Sequence, residues 1–565
     1  MENIKFLNNF QKIITTLLLL MATININATN YYVSTIGNDS NAGSLASPWR
    51  NINFAVNNQS LLPGDFVYIL SGTYFERAIM TKSGSVSNKI TVSNYNNQLV
   101  TLDGTGASPA TYNYAGLFEV RASNVVINGL KCINARWDLT SEGISVQGPN
   151  VSNIIIQNCI TNNSSSCGIG VWGNTVDYSG VTNIIVQNND ISQAVVGGYQ
   201  ENLSICGGVD TFVVRNNVVH DSNSPPNAVN IPLGIDAKTN VRNGKIYNNN
   251  INNLPYAGGI YVDGYDNTAY NIDVYNNVVY NVAWYGMSIG AEEGGSDYNI
   301  NVYNNIFYNN LGHGISINNS NISTANNIHD IKIYNNTVFG NGGVNGGNGI
   351  CNLNTASYNI TIKNNILSQN TWSNVIVTMS ANSSLPVISN NVCDGVQNAY
   401  YPGSVIALGS ASIYSSPLFV NAGAAIFKLN ANSPAIDSGT SSLAPLTDFD
   451  GNTRPSGGAY DIGAYEYGST LSTIDENEFI PQTNDVFDLT VFPNPVLDGI
   501  LNVSFSIQED YTIEIFDLSG GIIFTKTSIT KEDILILDML TSNSTFILSA
   551  INSSGDRITK KITTN

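Results

Sequence analysis

The hydrophobic positions of this chain follow one short pattern that recurs through its central part. In each copy, apolar and often β-branched residues alternate with polar ones, and the segment ends at an asparagine that usually begins an Asn-Asn pair. These asparagines stand at 158, 188, 216, 248, 276, 304, 335 and 364, so the period varies between 28 residues (188 to 216) and 32 residues (216 to 248). Alternation with a period of two predicts a short strand, and the asparagines favour a turn after it.

A second strand recurs with the same period and usually begins with Gly-Ile. Its copies are GISVQ (143–147), GIGVW (168–172), GIDAK (234–238), GIYVD (259–263), GMSIG (286–290), GISIN (314–318) and GICNL (349–353). Two or three short strands per period, without helical periodicity, predict an all-β parallel β-helix of about ten coils stacked about 4.8 Å apart. Propeller blades need about 40–45 residues each and are excluded. We expect the paired asparagines to form stacked amide ladders in one column of turns.

The charge of the chain restricts its partners. It has 565 residues with 22 Lys+Arg against 41 Asp+Glu, a net charge of -19 and a pI near 4.4. Nucleic-acid binding depends on neutralising phosphates with basic side chains, so DNA and RNA are excluded as partners. The low share of charged residues, 11%, is unlike that of a helical cytosolic enzyme.

The N-terminus predicts export. Residues 1–28 contain Lys5 and Lys12, then the apolar run 13–22, then a small-residue end at Ala28. This order is typical of a cleaved secretory signal, and the apolar run is too short to span a membrane. Six cysteines leave two interpretations open, buried free thiols or one or two disulfides, and their spacing does not suggest zinc. We expect a monomer.

Residues 30–125 contain YYVSTIGNDSNAGSLASPWRNINFAV, LLPGDFVYILSGTYFE and SGSVSNKITVSNYNN. This stretch resembles the N-terminal region of secreted bacterial right-handed β-helix proteins of the pectate-lyase-like superfamily, family 9 pectate lyases among them. The resemblance implies right-handed coils and an activity on polysaccharides. Within this region, 48–56 is expected to form a short helix that covers the first coil.

Two further resemblances lie near the C-terminus. SPAIDSG (433–439), DFDGNTRP (448–455) and YDIGAYEY (460–467) resemble a closing module found after such helices in bacterial surface proteins. VFPNP (491–495), LNVSFSI (501–507) and YTIEIFDLSGG (511–521) resemble the type IX secretion sorting domain of Bacteroidota, a small β-sandwich. These resemblances imply a protein that is secreted or anchored at the cell surface, with the type IX secretion machinery as a partner.

The predicted organisation has six parts. They are a signal peptide (1–28), an N-terminal cap with the first coils (29–125), the β-helix repeats (126–400), a closing module (401–467), a linker (468–485) and the sorting domain (486–565).

Charged residues converge on two neighbouring Gly-Ile strands. Strand alternation sends Ile235, Ala237, Ile260 and Val262 inward, so the residues between them face outward. Stacking Gly234 on Gly259 places Asp236 over Tyr261 and Lys238 over Asp263. We predict that Asp236, Lys238 and Asp263 are the catalytic centre. The alternative interpretation is a solvated surface pair that contributes under about 1 kcal/mol.

Two chemistries fit this cluster, and a polysaccharide lyase is slightly favoured by the superfamily resemblance. In β-elimination, Lys238 would be the base, Arg242 would neutralise the substrate carboxylate, and Tyr261 or His220 would be the acid. A facing Asp263 would raise the pKa of Lys238, which opposes this role. Glycoside hydrolysis would instead use Asp236 and Asp263 as paired carboxylates. A non-catalytic glycan-binding or surface-structural solenoid is the third interpretation.

Further residues are predicted to bind substrate around this centre. Trp172 and Tyr261 are predicted to stack on sugar rings. The predicted polar substrate-binding residues are Glu201, His220, Arg242, Tyr261 and Glu292. The register of the coil with Glu201 is ambiguous, because either Gly198 or Asn202 fits the position that opens its strand.

Calcium is the one cofactor that the resemblance and the acidic residues suggest. The resemblance to family 9 pectate lyases extends to the strand frame and to Lys238, but the calcium-binding aspartates of that family are replaced here by Leu233, Ala257, Gly258 and Tyr261. Any metal would need other oxygen ligands such as Asp236, Asp263 and Glu292, which would suit calcium. We therefore assign no metal ligand.

Overall fold

The computed structural model describes residues 28–174, 177–198, 200–225, 232–318, 327–343, 346–379, 385–395, 404–407, 409–468, 489–497, 500–505, 510–516, 522–530, 532–537, 544–552 and 557–564. Most of the predicted signal peptide (1–28) and most of the predicted linker (468–485) lie outside these residues. The chain forms two compact units, Met1–Ile474 and Asp475–Asn565. Each unit is described by itself.

The first unit is a parallel β-helix of about eleven coils, which confirms the predicted fold class. Each complete coil contributes one strand to each of three sheets, in the order sheet 1, sheet 2, sheet 3 along the chain. Within a sheet, each strand pairs in parallel with the strand of the next coil, except the last strand of sheet 3, which is antiparallel.

The three sheets are built from the following strands. Sheet 1 contains Asn30–Val33, Phe66–Ile69, Ile90–Asn94, Val125–Asn128, Val151–Gln157, Val181–Gln187, Val209–Arg215, Val241–Tyr247, Thr268–Tyr275, Ser296–Tyr303, Asn327–Tyr334, Tyr358–Lys363 and Val387–Ser389. Sheet 2 contains Gly72–Tyr74, Val100–Asp103, Lys131–Ile133, Ile160–Asn162, Asp190–Ser192, Val218–His220, Asn250–Leu254, Val278–Val282, Ile306–Tyr308, Thr337–Phe339, Ile366–Ser368 and Val392–Asp394. Sheet 3 contains Ala78–Met80, Gly116–Val120, Glu142–Gln147, Ile169–Trp172, Leu203–Cys206, Leu233–Lys238, Gly258–Asp263, Met287–Gly290, Ile315–Asn318, Asn348–Asn352, Ser373–Met379 and Ser404–Ala407.

Asparagine pairs form the turns between sheets 1 and 2. The first asparagine of a pair takes the left-handed backbone conformation, with φ of 53° at Asn276 and 52° at Asn304. Asparagine tolerates this conformation better than most residues, which explains its recurrence. The second asparagine points inward, and its amide joins a buried ladder. Asn277, for example, donates to Asn305 Oδ1 at 3.0 Å and to the carbonyl of Ile246 at 2.9 Å.

Stacked aromatic rings run along the outer surface of sheet 1. One ladder consists of Tyr247, Tyr275, Tyr303 and Tyr334, with successive ring centroids 4.6, 4.9 and 5.0 Å apart. A second consists of Tyr270, Tyr298, His329 and Tyr358. Each ring lies nearly parallel to its neighbours, so the ladder covers ring faces and leaves ring edges at the surface.

Smaller elements complete the first unit. A short α-helix, Ile52–Ala55, lies in the segment where a helix was predicted, and 3₁₀ turns span Tyr95–Asn97, Glu292–Gly294 and Ala422–Ala424. The closing segment contains the hairpin Phe419–Asn421 and Ile426–Leu429 and contacts the helix through Asn304, whose amide donates to the carbonyl of Thr447 at 2.8 Å. Arg454 and Glu466 form a buried ion pair at 2.7 Å within it.

All six cysteines are free thiols, and all but Cys206 are buried. The structure therefore supports the prediction of free thiols and not that of one or two disulfides. Among the residues described, no helix has the length and apolar character needed to cross a membrane.

The second unit contains two antiparallel sheets around one hydrophobic core. One sheet contains Leu489–Leu497, Ile500–Phe505 and Glu532–Ile536, and the other Ile522–Ile529, Tyr511–Phe516, Thr545–Asn552 and Arg557–Thr563. Side chains from both sheets, such as Leu501 and Ile513, share the core. This arrangement is the predicted β-sandwich.

Asn277→Ala should lower the free energy of unfolding of the first unit by at least about 3 kcal/mol. The change removes hydrogen bonds to Asn305 and Ile246, and it leaves the backbone N–H and one side-chain N–H of Asn249 without their acceptor, Asn277 Oδ1. Denaturant unfolding followed by circular dichroism measures the effect. The control is Asn301→Ala, which removes a half-buried hydrogen bond to Asp273 on the outside of sheet 1 and should cost under about 1 kcal/mol. Equal losses in the two variants would contradict the structural role of the buried ladder.

Candidate functional site

The register of two strands of sheet 3 brings the predicted charged residues together. In Leu233–Lys238 and Gly258–Asp263, Asp236 pairs with Tyr261 and Lys238 pairs with Asp263. The alternating residues Ile235 and Ala237 fill the interior. The juxtaposition predicted from the Gly-Ile alignment is therefore present.

The predicted solvent exposure of this face is wrong. Asp236 and Asp263 are fully buried, Tyr261 is 3% exposed, and the Lys238 side chain is 21% exposed. Alternation correctly excludes these side chains from the interior of the coils, but it does not show what lies across the outer face. The turn Glu292–Gly294 is part of that cover, because the N–H of Glu292 donates to Asp263 Oδ1 at 3.1 Å.

Lys238 is the cation at the centre of this acidic cluster. Its Nζ lies 3.1 Å from Asp263 Oδ2 and 3.6 Å from Glu292 Oε2, and 4.8 Å from the ring centroid of Tyr265. Burial opposes its charge, but the carboxyl groups of Asp236 and Asp263 more than offset this and raise the pKa of Lys238. Lys238 therefore stays protonated at neutral pH.

Asp263 is buried, but a cation and backbone N–H groups of the protein stabilise its charge. Besides Lys238, it accepts a hydrogen bond at its Oδ1 from the backbone N–H of Tyr265 at 2.7 Å. Burial raises the pKa of Asp263 to about 6, and Lys238 limits the rise. Asp263 is consequently ionised at pH 7.

Asp236 has the opposite environment. Neither of its carboxyl oxygens has a hydrogen-bond partner. Burial raises its pKa well above the usual value, and the nearby carboxylate of Glu201 raises it further, while Lys238 acts in the other direction. The environment of Asp236 therefore favours its protonated form.

Glu201 belongs to the same cluster. Asn202 opens the strand, because Leu203 pairs with Ile235, and this resolves the register left ambiguous above. Glu201 is 6% exposed, and burial raises its pKa to about 7 while Lys238 lowers it. Glu292 is the partly exposed member, with 29% of its side chain accessible, and it accepts a hydrogen bond from the Tyr261 hydroxyl at 3.0 Å.

Tyr261 reaches Glu292 because Gly290 leaves room for it. A Cβ at Gly290 would lie 2.2 Å from the Tyr261 hydroxyl. Tyr261 is thus fixed beneath Glu292 and, at 3% exposure, presents no ring face to solvent. The structure does not support its predicted role as a sugar-stacking platform.

Trp172 is also covered. Its ring stacks on Tyr114 with centroids 4.5 Å apart, and its Nε1 donates to the carboxylate of Glu142 at 3.0 Å. With 5% of its surface exposed, Trp172 has no free ring face for a sugar in this arrangement.

His220 and Arg242 lie on other sheets. His220 is on sheet 2 between Asp221 Oδ2, at 2.8 Å from Nδ1, and Asp190 Oδ1, at 3.2 Å from Nε2. Arg242 is on sheet 1, where it pairs with Asp210 at 2.7 Å and donates to the Tyr270 hydroxyl. Neither residue joins the cluster around Lys238.

Sequence reasoning missed two buried acids near the cluster. Glu142 precedes a Gly-Ile strand, as Glu201 precedes Asn202, and this shared position was a usable signal. Asp297 interrupts a column of apolar residues at the start of sheet 1 strands. Both side chains are fully buried.

The residues suggested for calcium do not form a metal site. Across the described ranges, no three His, Cys, Asp or Glu side chains are grouped to hold a metal ion. Lys238 Nζ already lies between Asp263 and Glu292, where a cation would have to bind. The arrangement therefore does not fit a calcium ion held by Asp236, Asp263 and Glu292.

Comparison with known families matches both ends of the chain. Residues 31–198 match the family described as "Pel9A-like, right handed beta helix region", and residues 490–565 match "Secretion system C-terminal sorting domain". The chain ends in a type IX secretion sorting domain. The protein is therefore secreted or attached at the cell surface, as the sequence predicted.

Individual relatives are distant. The chain is 27% identical over 269 residues to the uncharacterized protein YwoF of Bacillus subtilis (strain 168), covering 43% of this chain and 56% of that protein, about half its length. Among solved structures, pectate lyase Pel9A is 16% identical (78% of this chain, 97% of that chain, TM-score 0.46). The GH136 lacto-N-biosidase from Eubacterium ramulus is 13% identical (69% and 72%, TM-score 0.44). The A-module of the Azotobacter vinelandii mannuronan C-5 epimerase AlgE6 is also 13% identical (65% and 94%, TM-score 0.44).

Lys238→Met should destabilise the β-helix by about 3 kcal/mol or more at pH 8. The substitution keeps the apolar stem but leaves the buried carboxylate of Asp263 without its counter-charge. The loss should be smaller at pH 5, because Asp263, with a pKa of about 6, can then take up a proton. Denaturant unfolding at the two pH values measures it.

The matched control for this variant is Lys428→Met. Lys428 pairs with Asp450 at 2.6 Å, but its side chain is 58% exposed, so its removal should cost under about 1 kcal/mol at either pH. A Lys238→Met protein as stable as the control at pH 8 would show that the central ion pair does not matter to the fold.

Proposed function

We propose that the protein is an extracellular carbohydrate-active enzyme that cleaves a linear glycan, with Asp236 as general acid and Asp263 as general base. The observation that carries this proposal is the unequal environment of two carboxyl groups on adjacent strands. Asp263 has a cation and backbone N–H donors, whereas Asp236 has no hydrogen-bond partner. Environments that separate two pKa values in this way assign an acid and a base.

The state of Lys238 favours hydrolysis over β-elimination. A lyase base must lose its proton at the working pH, but the carboxylates around Lys238 raise its pKa. The role of Lys238 in the proposed reaction is to keep Asp263 ionised and in position. This argument reverses the slight preference for a lyase that the superfamily resemblance suggested.

The separation of the two acids supports the same conclusion. Asp236 and Asp263 stand on adjacent strands and two residues apart, so their stems are about 8 Å from each other. Inverting glycosidases place their two carboxyl groups about 6.5–9.5 Å apart to admit a water molecule. In this reaction Asp236 would protonate the leaving oxygen, and Asp263 would take a proton from the attacking water.

The charge of the chain favours a neutral glycan. Removal of residues 1–28, which carry Glu2, Lys5 and Lys12, would leave a net charge of -20. Such a surface repels a polyanion. The substrate would approach from the side of Glu292 and Lys238, the partly exposed members of the cluster, and the cover of sheet 3 must open for it to reach Asp236.

The burial of the cluster supports a second candidate, a glycan-binding or surface-structural solenoid without catalysis. Asp236 and Asp263 are inaccessible in the structure, as expected if they only stabilise a polar layer. Activity measurements distinguish this candidate from the first.

Activity on a panel of neutral, uronate and sulfated polysaccharides tests the proposal. Hydrolysis releases reducing ends without new absorbance, whereas a lyase gives reducing ends together with an unsaturated, absorbing product. We expect hydrolysis of a neutral glycan.

Substitution of the two acids tests their roles. Asp236→Asn and Asp263→Asn should each lower the rate of hydrolysis by about 10²–10⁴. The control Asp273→Asn changes a carboxylate on the outside of sheet 1 and should keep full activity. Absorbing product would instead establish a lyase, and binding without cleavage would establish the second candidate.

The pH dependence of the rate provides an independent test. Activity should rise as the pH passes about 6, because Asp263 must be ionised, and should fall where Asp236 loses its proton. Glu201 raises the pKa of Asp236, so Glu201→Gln should move the alkaline limb of the kcat/KM profile to lower pH and leave the acidic limb in place. Asp273→Asn should move neither limb. An unchanged alkaline limb in Glu201→Gln would remove Asp236 from the role of acid.

A further inference from the structure

Asp297 occupies a position that is apolar on the other coils of sheet 1. It pairs with Ala269 on one side and with Ile328 on the other. The same column continues through Val241, Val209, Val181 and Val151. All these side chains point into the core, and Asp297 is fully buried with them.

The fold itself does not require an acid at this position. Neither carboxyl oxygen of Asp297 makes a well-formed hydrogen bond. A buried carboxylate with so little hydrogen bonding is unstable, so this position favours the protonated form of Asp297. A valine or alanine would fill the position without this condition, as the neighbouring coils show.

Asp297 lies directly beneath the cover of the acidic cluster. A Cβ at Gly264, the residue after Asp263, would lie 2.7 Å from the carbonyl oxygen of Ser296, the residue before Asp297. A Cβ at Gly295 would lie 2.0 Å from the carbonyl of Tyr265. The two turns that hold Asp263 and Glu292 therefore rest on each other, and Asp297 is buried where they meet.

The groups around Asp297 act against its ionisation. Burial raises its pKa well above the usual value, and Asp263, Asp236 and Glu292 raise it further, while the backbone N–H of Gly264 opposes the rise only in part. The Tyr261 ring is also within its electrostatic reach, and the nearby cation Lys238 is already paired with Asp263 and Glu292. Ionisation of Asp297 would thus add a charge to a layer that is already acidic.

We propose that Asp297 is a proton-dependent latch that holds the turns 264–267 and 291–296 over the acidic cluster. When protonated, Asp297 packs as a neutral side chain and the turns stay closed. When it loses its proton, the carboxylate has to reach water, and the turns separate. Opening would expose Asp263 and Glu292 to solvent. The buried cluster would then be accessible to a glycan, whether the protein cleaves the glycan or only binds it.

The sign of the pH dependence follows from the raised pKa. A buried acid of this kind contributes its full stability below its unfolded pKa of about 3.9 and loses it as the pH rises through the folded value. Between these two values, the open fraction of the latch should increase up to tenfold for each pH unit, and above the folded value it should level off.

Hydrogen exchange of the two turns at pH 6 and pH 9, corrected for the intrinsic rate, tests the latch in the full chain. We expect protection of 264–267 and 291–296 to fall at least tenfold between these pH values in the natural protein. Asp297→Val and Asp297→Asn, which have no proton to lose, should show no such fall. The control Ile328→Val changes the same column one coil away and should keep the pH dependence of the natural protein.

The outcomes separate the latch from the proposed enzyme activity, because exchange is measured without substrate. Equal protection at the two pH values in the natural protein would overturn the proposal, and so would a fall of the same size in Asp297→Asn. If Asp297→Val does not fold, which circular dichroism shows directly, the comparison of the natural protein with Asp297→Asn decides.

Discussion

Parallel pairing between successive coils is the constraint on which the rest of this structure depends. Each residue of a strand lies beside the corresponding residue of the next coil, so identical side chains stack and different ones are forced into contact. The buried asparagine amides use this repeat to satisfy one another, as Asn277 does with Asn305. The tyrosine rings on sheet 1 use it to cover one another's faces. The repeat thus determines which side chains pack in the interior of each coil. A functional site can form where a residue departs from the repeat.

The acidic cluster is such a break. On sheet 3, Asp236 and Tyr261 stand in a column that has small residues on either side of the pair, Ser204 and Ser288. The four carboxyl groups of Asp236, Asp263, Glu201 and Glu292 around one lysine would be unfavourable in a layer so little exposed to water unless their protons were unequally shared. The ion pair of Lys238 with Asp263, and the isolation of Asp236, provide that unequal sharing. The same features that make the cluster costly for the fold are the ones that give its members different chemical roles.

The fold and part of the candidate site could be predicted from the sequence, and the predictions that were wrong have physical reasons. The period, the strand alternation and the Gly-Ile alignment were sufficient for the fold and for placing Lys238 beside Asp263, because register in a parallel stack follows from local patterns. Burial of Asp236 could not be read in this way, because the segments that cross the outer face have no repeat. The predicted sugar-stacking role of Trp172 was wrong for the same reason, because Tyr114, which covers its ring, comes from a segment before the repeats begin. His220 and Arg242 were near the cluster in sequence but lie around the corner on other sheets.

The asparagine ladder also affects how a chain of this kind can change in length. A rung such as Asn277 bonds to the coils next to it, through Asn249, Asn305 and the carbonyl of Ile246. A whole coil can therefore be gained or lost and the two new neighbours still meet as Asn277 and Asn305 do. Insertion of a single residue within a strand would instead turn every following side chain of that strand to the wrong face. Such a protein can therefore grow or shrink in evolution by whole turns of about thirty residues, and smaller insertions are tolerated only in the loops between strands. A site built on two adjacent coils, as the Lys238 cluster is, would be carried intact through such changes elsewhere along the stack.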